Sequence, residues 1–246
     1  MDRLIYTAVT GMTASMNRQR VIASNMANAQ TIGFRAETMQ FEPMTLKGPQ
    51  LEVRAMVAGE VQGASMKGGA LSRTGRELDI AVSGKVMLTV QAPDGGEGYT
   101  RRGDLIVSAS GVLENGEGYP LIGEAGPVTV PTGARIAIAP DGAVMATNPE
   151  APDQPPVQVA KLKLASFAGS TIRKDLDGLF RVPGGGVLPA DATAQVTAGA
   201  LEQSNVNTSE VLVEMIEAQR LYDMRTKLIA TARDLDEGGA RLMQIT

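Results

Sequence analysis

Ser204-Asn205-Val206-Asn207-Thr208 opens the stretch that decides the fold, which runs on through Val211, Leu212, Met215, Ile216, Ala218, Leu221, Tyr222, Leu228, Ile229, Ala232 and Leu235 to Ile245. Apolar residues return every three or four positions, which lines them along one side of a helix. Asn207 followed by Glu210 is a helix-start signal, the Asn capping the first-turn amides and the Glu reaching back over it. Asp223 and Lys227 stand one turn apart and are placed to pair. No breaker intervenes before Gly238-Gly239, so the spacing predicts a helix of about thirty residues, roughly 45 Å long. A seam of that length asks for a partner helix.

The beginning of the chain mirrors this end. Ile5, Val9, Met12, Met16, Ala23 and Met26 follow alternating steps of four and three, with Gln19 as the polar interruption. That is the a/d spacing of a coiled-coil seam. Asp2 is placed to cap the helix, and the polar run from Asn25 to Thr31 followed by Gly33 closes it. Periodicity alone fits equally a seam awaiting a partner and an ordinary helical hairpin packed onto the domain.

Between the ends the texture changes twice. From Phe34 to Arg76 the breakers Gly48-Pro49, Gly59, Gly63 and Gly68-Gly69 predict a connector with short extended pieces. From Leu78 onward, short alternating runs are divided by turns such as Asp94-Gly95-Gly96 and Asp141-Gly142, where glycine accepts a positive φ. Strands are expected at Leu78–Val82, Val86–Val90, Leu105–Ser108, Tyr119–Ile122, Val128–Val130, Arg135–Ala139, Val157–Phe167 and Leu179–Val182. Their spacing suggests an all-β domain of sandwich or irregular barrel type. The expected fold is α+β, with long N- and C-terminal helices forming a coiled-coil layer and an all-β domain inserted between them. The expected divisions are an N-terminal helix over 1–33, a connector over 34–77, a β domain over 78–201 and a C-terminal helix over 202–246.

The composition narrows the chemistry. A 246-residue chain with 43% hydrophobic and 20% charged residues has the make-up of a folded, soluble protein. Its net charge of −4 argues against nucleic acid, which needs a basic footprint. Cysteine, histidine and tryptophan are absent, which removes thiol chemistry, the commonest ligand of zinc and haem, and the commonest general base. Asp94-Gly95-Gly96-Glu97-Gly98 lacks calcium-loop spacing, and Gly184-Gly185-Gly186 lacks the Lys-Ser/Thr of a phosphate loop. Lys174, Asp175 and Asp177 fit a solvated loop, and Arg101-Arg102 beside Tyr99 fits a strand end. No catalytic, cofactor-binding or metal site is nominated, no cofactor is implied, and no enzyme activity or small-molecule substrate is expected. Arg18 and Arg20 interrupt the apolar run that a cleaved export signal needs, and nothing approaches a membrane span.

With both ends in view, the chain resembles the flagellar basal-body rod, hook and hook-associated family of axial proteins. The N-terminal match is Leu4-Ile5-Tyr6-Thr7-Ala8, Thr10-Gly11-Met12, Ala23-Ser24-Asn25-Met26-Ala27-Asn28-Ala29 and Thr31-Ile32-Gly33-Phe34-Arg35. The C-terminal match is Leu201-Glu202-Gln203-Ser204-Asn205-Val206-Asn207 and Glu214-Met215-Ile216-Glu217-Ala218-Gln219-Arg220-Leu221-Tyr222. Leu78-Asp79-Ile80-Ala81-Val82-Ser83-Gly84, Tyr99-Thr100-Arg101-Arg102-Gly103 and Gly118-Tyr119-Pro120-Leu121-Ile122-Gly123 resemble its β-domain signature. Ser24, Met26 and Ile32 stand where the family usually has Asn, Leu, and Pro or Thr.

The resemblance implies a structural subunit, most like one of the proximal rod, that assembles into a helical tube and transmits motor torque across the periplasm. It implies type III export without a cleaved signal. The implied partners are copies of the chain, other rod proteins and the export apparatus. The assembly interface is then expected at Ile5, Val9, Met12, Met16, Ala23, Met26, Leu212, Met215, Ile216, Tyr222 and Ile229. Two other readings remain open: a distal rod or hook-type subunit, and a self-contained β-domain protein acting on periplasmic polysaccharide, for which no carboxylate pair is nominated.

Overall fold

The computed structural model describes residues 2–47, 52–151 and 154–243, with side chains described for 9–39, 63–151, 154–231, 233, 234 and 238. The chain divides into two compact units, one of Met1–Ala29, Glu37–Gly63 and Val206–Thr246, the other of Gln30–Ala36 and Ala64–Asn205.

The first unit holds both helices, α1 (Asp2–Ala27) and α2 (Thr208–Met243), and a two-stranded sheet of Glu37–Lys47 and Glu52–Ala64. The Asn207 side-chain oxygen accepts from the amides of Ser209 at 3.1 Å and Glu210 at 3.4 Å, so the cap starts α2 where the sequence places it. The helix then continues for 36 residues, through Gly238-Gly239. Glycine weakens a helix by about 1 kcal/mol against alanine but does not compel a stop, which needs a left-handed conformer or a following proline. Asn25, buried on α1, receives the Glu37 amide at 2.8 Å and donates to the Glu37 carbonyl at 3.1 Å, so its side chain caps a strand start.

α1 buries Ala14, Ser15, Val21, Ile22 and Asn25. Ile22 packs with Val211 and Ala218 of α2, flanked by the half-buried Met26, Val206 and Met215. Further along, the Arg225 guanidinium donates to the Gly11 carbonyl and the Ser15 hydroxyl. The expected coiled-coil layer is therefore corrected. The described residues contain two helices beside many antiparallel strands in several sheets, so the protein is mostly β within an α+β whole. Among the residues whose side chains are described, the two helices meet through a small apolar cluster and a polar pin rather than a long a/d seam, because Val9, Met16 and Ala23 of that seam face away and stay exposed. The connector also differs, since strands of 11 and 13 residues occupy much of it.

The second unit is built of small sheets around two apolar clusters. Its largest sheet is five-stranded, in the order Leu164–Ser166, Val86–Gln91, Glu97–Thr100, Phe180–Arg181 and Arg173–Lys174. Val86–Gln91 reads as a nearly continuous apolar run because both its faces are covered. Val86, Leu88 and Val90 join the larger cluster with Ile80, Leu105, Leu113 and Leu121, and Met87 joins a smaller one with Tyr99, Phe180 and Leu188. A three-stranded sheet of Arg135–Ile138, Ala143–Thr147 and Val157–Lys161 lies beside shorter pairs. The single strand expected at Val157–Phe167 is two, Val157–Lys161 and Leu164–Ser166, in different sheets. The amides of Leu162 and Lys163 turn instead to the carbonyls of Gly142 and Ile122.

Tyr99 is the buried polar tether of the smaller cluster. Its hydroxyl accepts from the Leu188 amide at 2.8 Å and donates to Glu97 Oε2 at 2.9 Å, and burial, with Glu97 adding to it, pushes its pKa up to about 12. Tyr99→Phe strands the Leu188 amide, and a loss of about 1–3 kcal/mol is expected by chemical denaturation. An unchanged midpoint would mean that the hydroxyl contributes nothing.

Candidate assembly surfaces

An assembling chain needs apolar surface that its own fold leaves uncovered. On α1 that surface is the row Val9, Met16 and Ala23, with Val9 51% and Met16 55% exposed. On α2 it is Leu212, Val213, Ile216, Met224 and Leu228, the last 68% exposed. Of the residues expected to form an interface, Val9, Met16, Ala23, Leu212 and Ile216 are exposed, and Met12, Met26, Met215, Tyr222 and Ile229 are half-buried. Ile5 lies outside the residues whose side chains are described. Val213 and Met224 were missed because a stripe of period three to four captures one helix face and they lie off it, whereas Leu228 belongs to the stripe but was not assigned to the interface.

The charged clusters singled out in the sequence are internal pairs. Arg181 donates to both oxygens of Asp177, at 3.0 and 2.6 Å, and to Asp175 at 3.1 Å. Burial alone would raise the Asp177 carboxyl, but the Arg181 guanidinium and the Leu179 amide outweigh it and hold the pKa below the usual aspartate value. Arg102 pairs with Asp104 at 2.8 Å and with Glu117 at 3.1 Å. Asp94 accepts from the Gly96 amide at 3.0 Å, as its hairpin requires. Among the described residues no group of three or more acidic side chains could hold a metal ion, and no helix is long and apolar enough to cross a membrane.

Within the second unit, three of the quoted motifs converge on one carboxylate. Glu202, 3% exposed, takes the Arg35 guanidinium on Oε1 at 2.6 Å. Arg101 Nε lies 3.0 Å from Oε2, an ion pair whose angle does not form a hydrogen bond. The Gly69 amide also donates to Oε1 at 2.8 Å, and the Gly33 amide donates to the Glu202 main-chain carbonyl at 2.7 Å. Two cations thus face one anion, and the surplus is met by carbonyls: Arg35 donates to that of Lys67, and Arg101 to that of Val86 at 2.5 Å. Burial lowers the Arg101 pKa, Glu202 opposes the shift and Arg35 adds to it. Gly33, with φ of 68°, brings its Cα so close that an added Cβ would lie 2.5 Å from the Arg101–Arg102 peptide. Sequence reading found these residues only as parts of motifs, since no local spacing couples Arg35 to Glu202.

Comparison with known proteins bears on what these surfaces serve. Three family models match: the flagella basal body rod protein family over residues 5–35, the D1 domain of the flagellar hook proteins FlgE/F/G over 81–146, and the C-terminal region of the flagellar basal body rod FlgEFG proteins over 197–242. The flagellar basal-body rod protein FlgF of Salmonella typhimurium is 42% identical over 246 residues, covering 98% of this chain and 97% of the relative. FlgF of Escherichia coli is 41% identical over 240 residues, covering 95% of each. The flagellar basal-body rod protein FlgG of Bacillus subtilis is 27% identical over 265 residues, covering 96% of this chain and 97% of the relative.

Proposed function

This chain belongs to the flagellar basal-body rod protein family and is most like FlgF, and we propose that it acts as a proximal rod subunit, built into a helical tube that carries motor torque across the periplasm. Its structural role in the basal body follows from the family. The observation that supports the finer reading is identity of 42% and 41% over nearly the full length to two FlgF proteins, against 31% to one FlgG.

The exposed apolar rows on α1 and α2 support a subunit that buries them against neighbours. Methionine suits such a contact, since its flexible side chain repacks against non-identical partners. A repeated head-to-tail contact that does not close on itself propagates as a helix of subunits. The partners are copies of this chain and other rod proteins. The export apparatus would carry it out without a cleaved signal.

The test is placement along the axis. A short epitope inserted at Gly184-Gly185, where both glycines have positive φ and an added Cβ would meet nothing within 4 Å, leaves the core untouched. In a strain lacking its own FlgF, the tagged chain is expected to restore swimming. Gold label should then mark the motor-proximal rod of isolated basal bodies. Label on the hook, or none on basal bodies from swimming cells, would exclude the proximal assignment.

A further inference from the structure

The segment 30–36 enters the second unit without contributing to either of its apolar clusters. Polar contacts hold it instead. The Gly33 amide is bonded to the Glu202 carbonyl, and the Asn205 amide donates to the Phe34 carbonyl at 3.3 Å. The Ala36 amide donates to the Asn205 side-chain oxygen at 2.7 Å, and the Ser65 amide to the Ala36 carbonyl at 2.7 Å. The Asn205 side-chain amide in turn donates to the carbonyls of Ser65 and Lys67, both at 2.9 Å. Lys174 lies 3.5 Å from the centre of the Phe34 ring. Glu202 and Asn205 are therefore the two side chains on which the lengths 30–36 and 64–70 converge.

We infer that Glu202 and Asn205 form a latch, which keeps segment 30–36 closed on the second unit and tied to 64–70, itself anchored to the smaller cluster by Ala64 and Met66, and whose release frees 30–36 while both β clusters stay folded. The electrostatics choose which part yields. Without the Glu202 carboxylate, two guanidiniums remain buried with no anion between them, and one must reach water. Arg101 follows directly on the strand Glu97–Thr100 of the five-stranded sheet and is held to Val86. Arg35 sits on a short segment with no apolar anchor, so that segment leaves. Local opening of this kind belongs to parts of a fold with few buried apolar contacts.

The latch has a consequence for the rod, and this part rests on the rod reading. The chain crosses between its two units only at 29–30, 36–37, 63–64 and 205–206. Every crossing except the first is next to a latched residue, so the latch fixes the points at which the chain leaves the second unit and load enters it.

Hydrogen exchange of the full chain tests the latch directly. In Glu202→Gln, the amides of Gly33, Ala36, Ser65 and Gly69 are expected to exchange at least about a hundredfold faster, the scale of breaking a buried ion pair. Those of Leu113, Leu121 and Val128, bonded within the larger core, should keep their rates. Equal acceleration at both sets, or no change at the first, overturns the latch. Asn205→Ala removes only neutral hydrogen bonds and keeps the question open should the first variant fail to fold. Ala36 and Ser65 are expected to exchange about tenfold faster, with the core again unchanged, and unaltered rates at those two amides overturn the latch as well. In cells, Glu202→Gln should lose more swimming speed in viscous medium than in water, relative to a wild-type chain that restores motility. Equal proportional loss in both media overturns the load-carrying part, whereas failure of the wild-type chain to restore motility points to the rod reading.

Discussion

Met16→Asp is expected to leave the isolated chain folded with an unfolding midpoint close to wild type, and to abolish rod assembly and swimming. Met16 is 55% exposed in the chain alone, and substitutions at such surface positions usually change stability by within about 0.5 kcal/mol. In an assembled contact the same position would hold a carboxylate against apolar neighbours. An unpaired buried charge of that kind costs several kcal/mol, repeated at every subunit. The pairing of an unchanged monomer with a lost assembly is the diagnostic part. Ile22→Asp would not serve, since Ile22 is 3% exposed and packs on Val211 and Ala218, so its failure would report damage within the chain. Denaturation of the purified variant, followed by electron microscopy of basal bodies from complemented cells, checks both halves. Intact rods built from Met16→Asp subunits would remove this face of α1 from the interface.

What the sequence disclosed about α1 was its helix and not its facing. An a/d pattern selects apolar residues, whereas the side of α1 buried in its own chain is rich in small and polar ones, including Ser15 and Asn25. Those residues are buried because they find hydrogen bonds: Asn25 on the Glu37 backbone and Ser15 under the Arg225 guanidinium. Hydrophobic periodicity has no term for such a contact, so it assigned to a partner helix a row, Val9, Met16 and Ala23, that this chain leaves open. The start of α2 was legible because capping is local, with Asn207 only two and three residues from the amides it receives. The strand Val86–Gln91 was legible because burial on both faces leaves a continuous apolar run. Glu202 was not. Its partners come from three distant segments, and even the neighbouring Ala36–Asn205 bond spans 169 residues. The family resemblance marked those segments as motifs without saying that they meet.

Gly103→Ala is expected to destabilise the second unit strongly for a single added methyl. The reason is a close approach rather than an unusual dihedral. A Cβ at Gly103 would lie 1.8 Å from the Ile80 carbonyl oxygen and 2.9 Å from the Ile80 carbonyl carbon. Both are backbone atoms, so no rotamer change relieves the overlap. The Gly103 carbonyl also accepts from the Ile80 amide at 2.9 Å, which holds the two segments in register. Ile80 is fully buried in the larger core, and Arg101, two residues before Gly103, is committed to Glu202. Separating the segments therefore displaces either Ile80 from its apolar contacts or Arg101 from its counter-ion. A loss of about 4 kcal/mol or more follows from combining core disruption with a broken buried pair. Gly84→Ala is the matched control. Gly84 has φ of 67°, but nothing lies within 4 Å of an added Cβ, so only the left-handed backbone cost of about 1–2 kcal/mol applies. In parallel denaturation experiments Gly103→Ala should lose the cooperative transition or shift it severalfold more than Gly84→Ala. Equal shifts would mean that the Ile80–Gly103 approach relaxes without cost, and that the packing where Arg101 meets Glu202 is looser than its distances indicate.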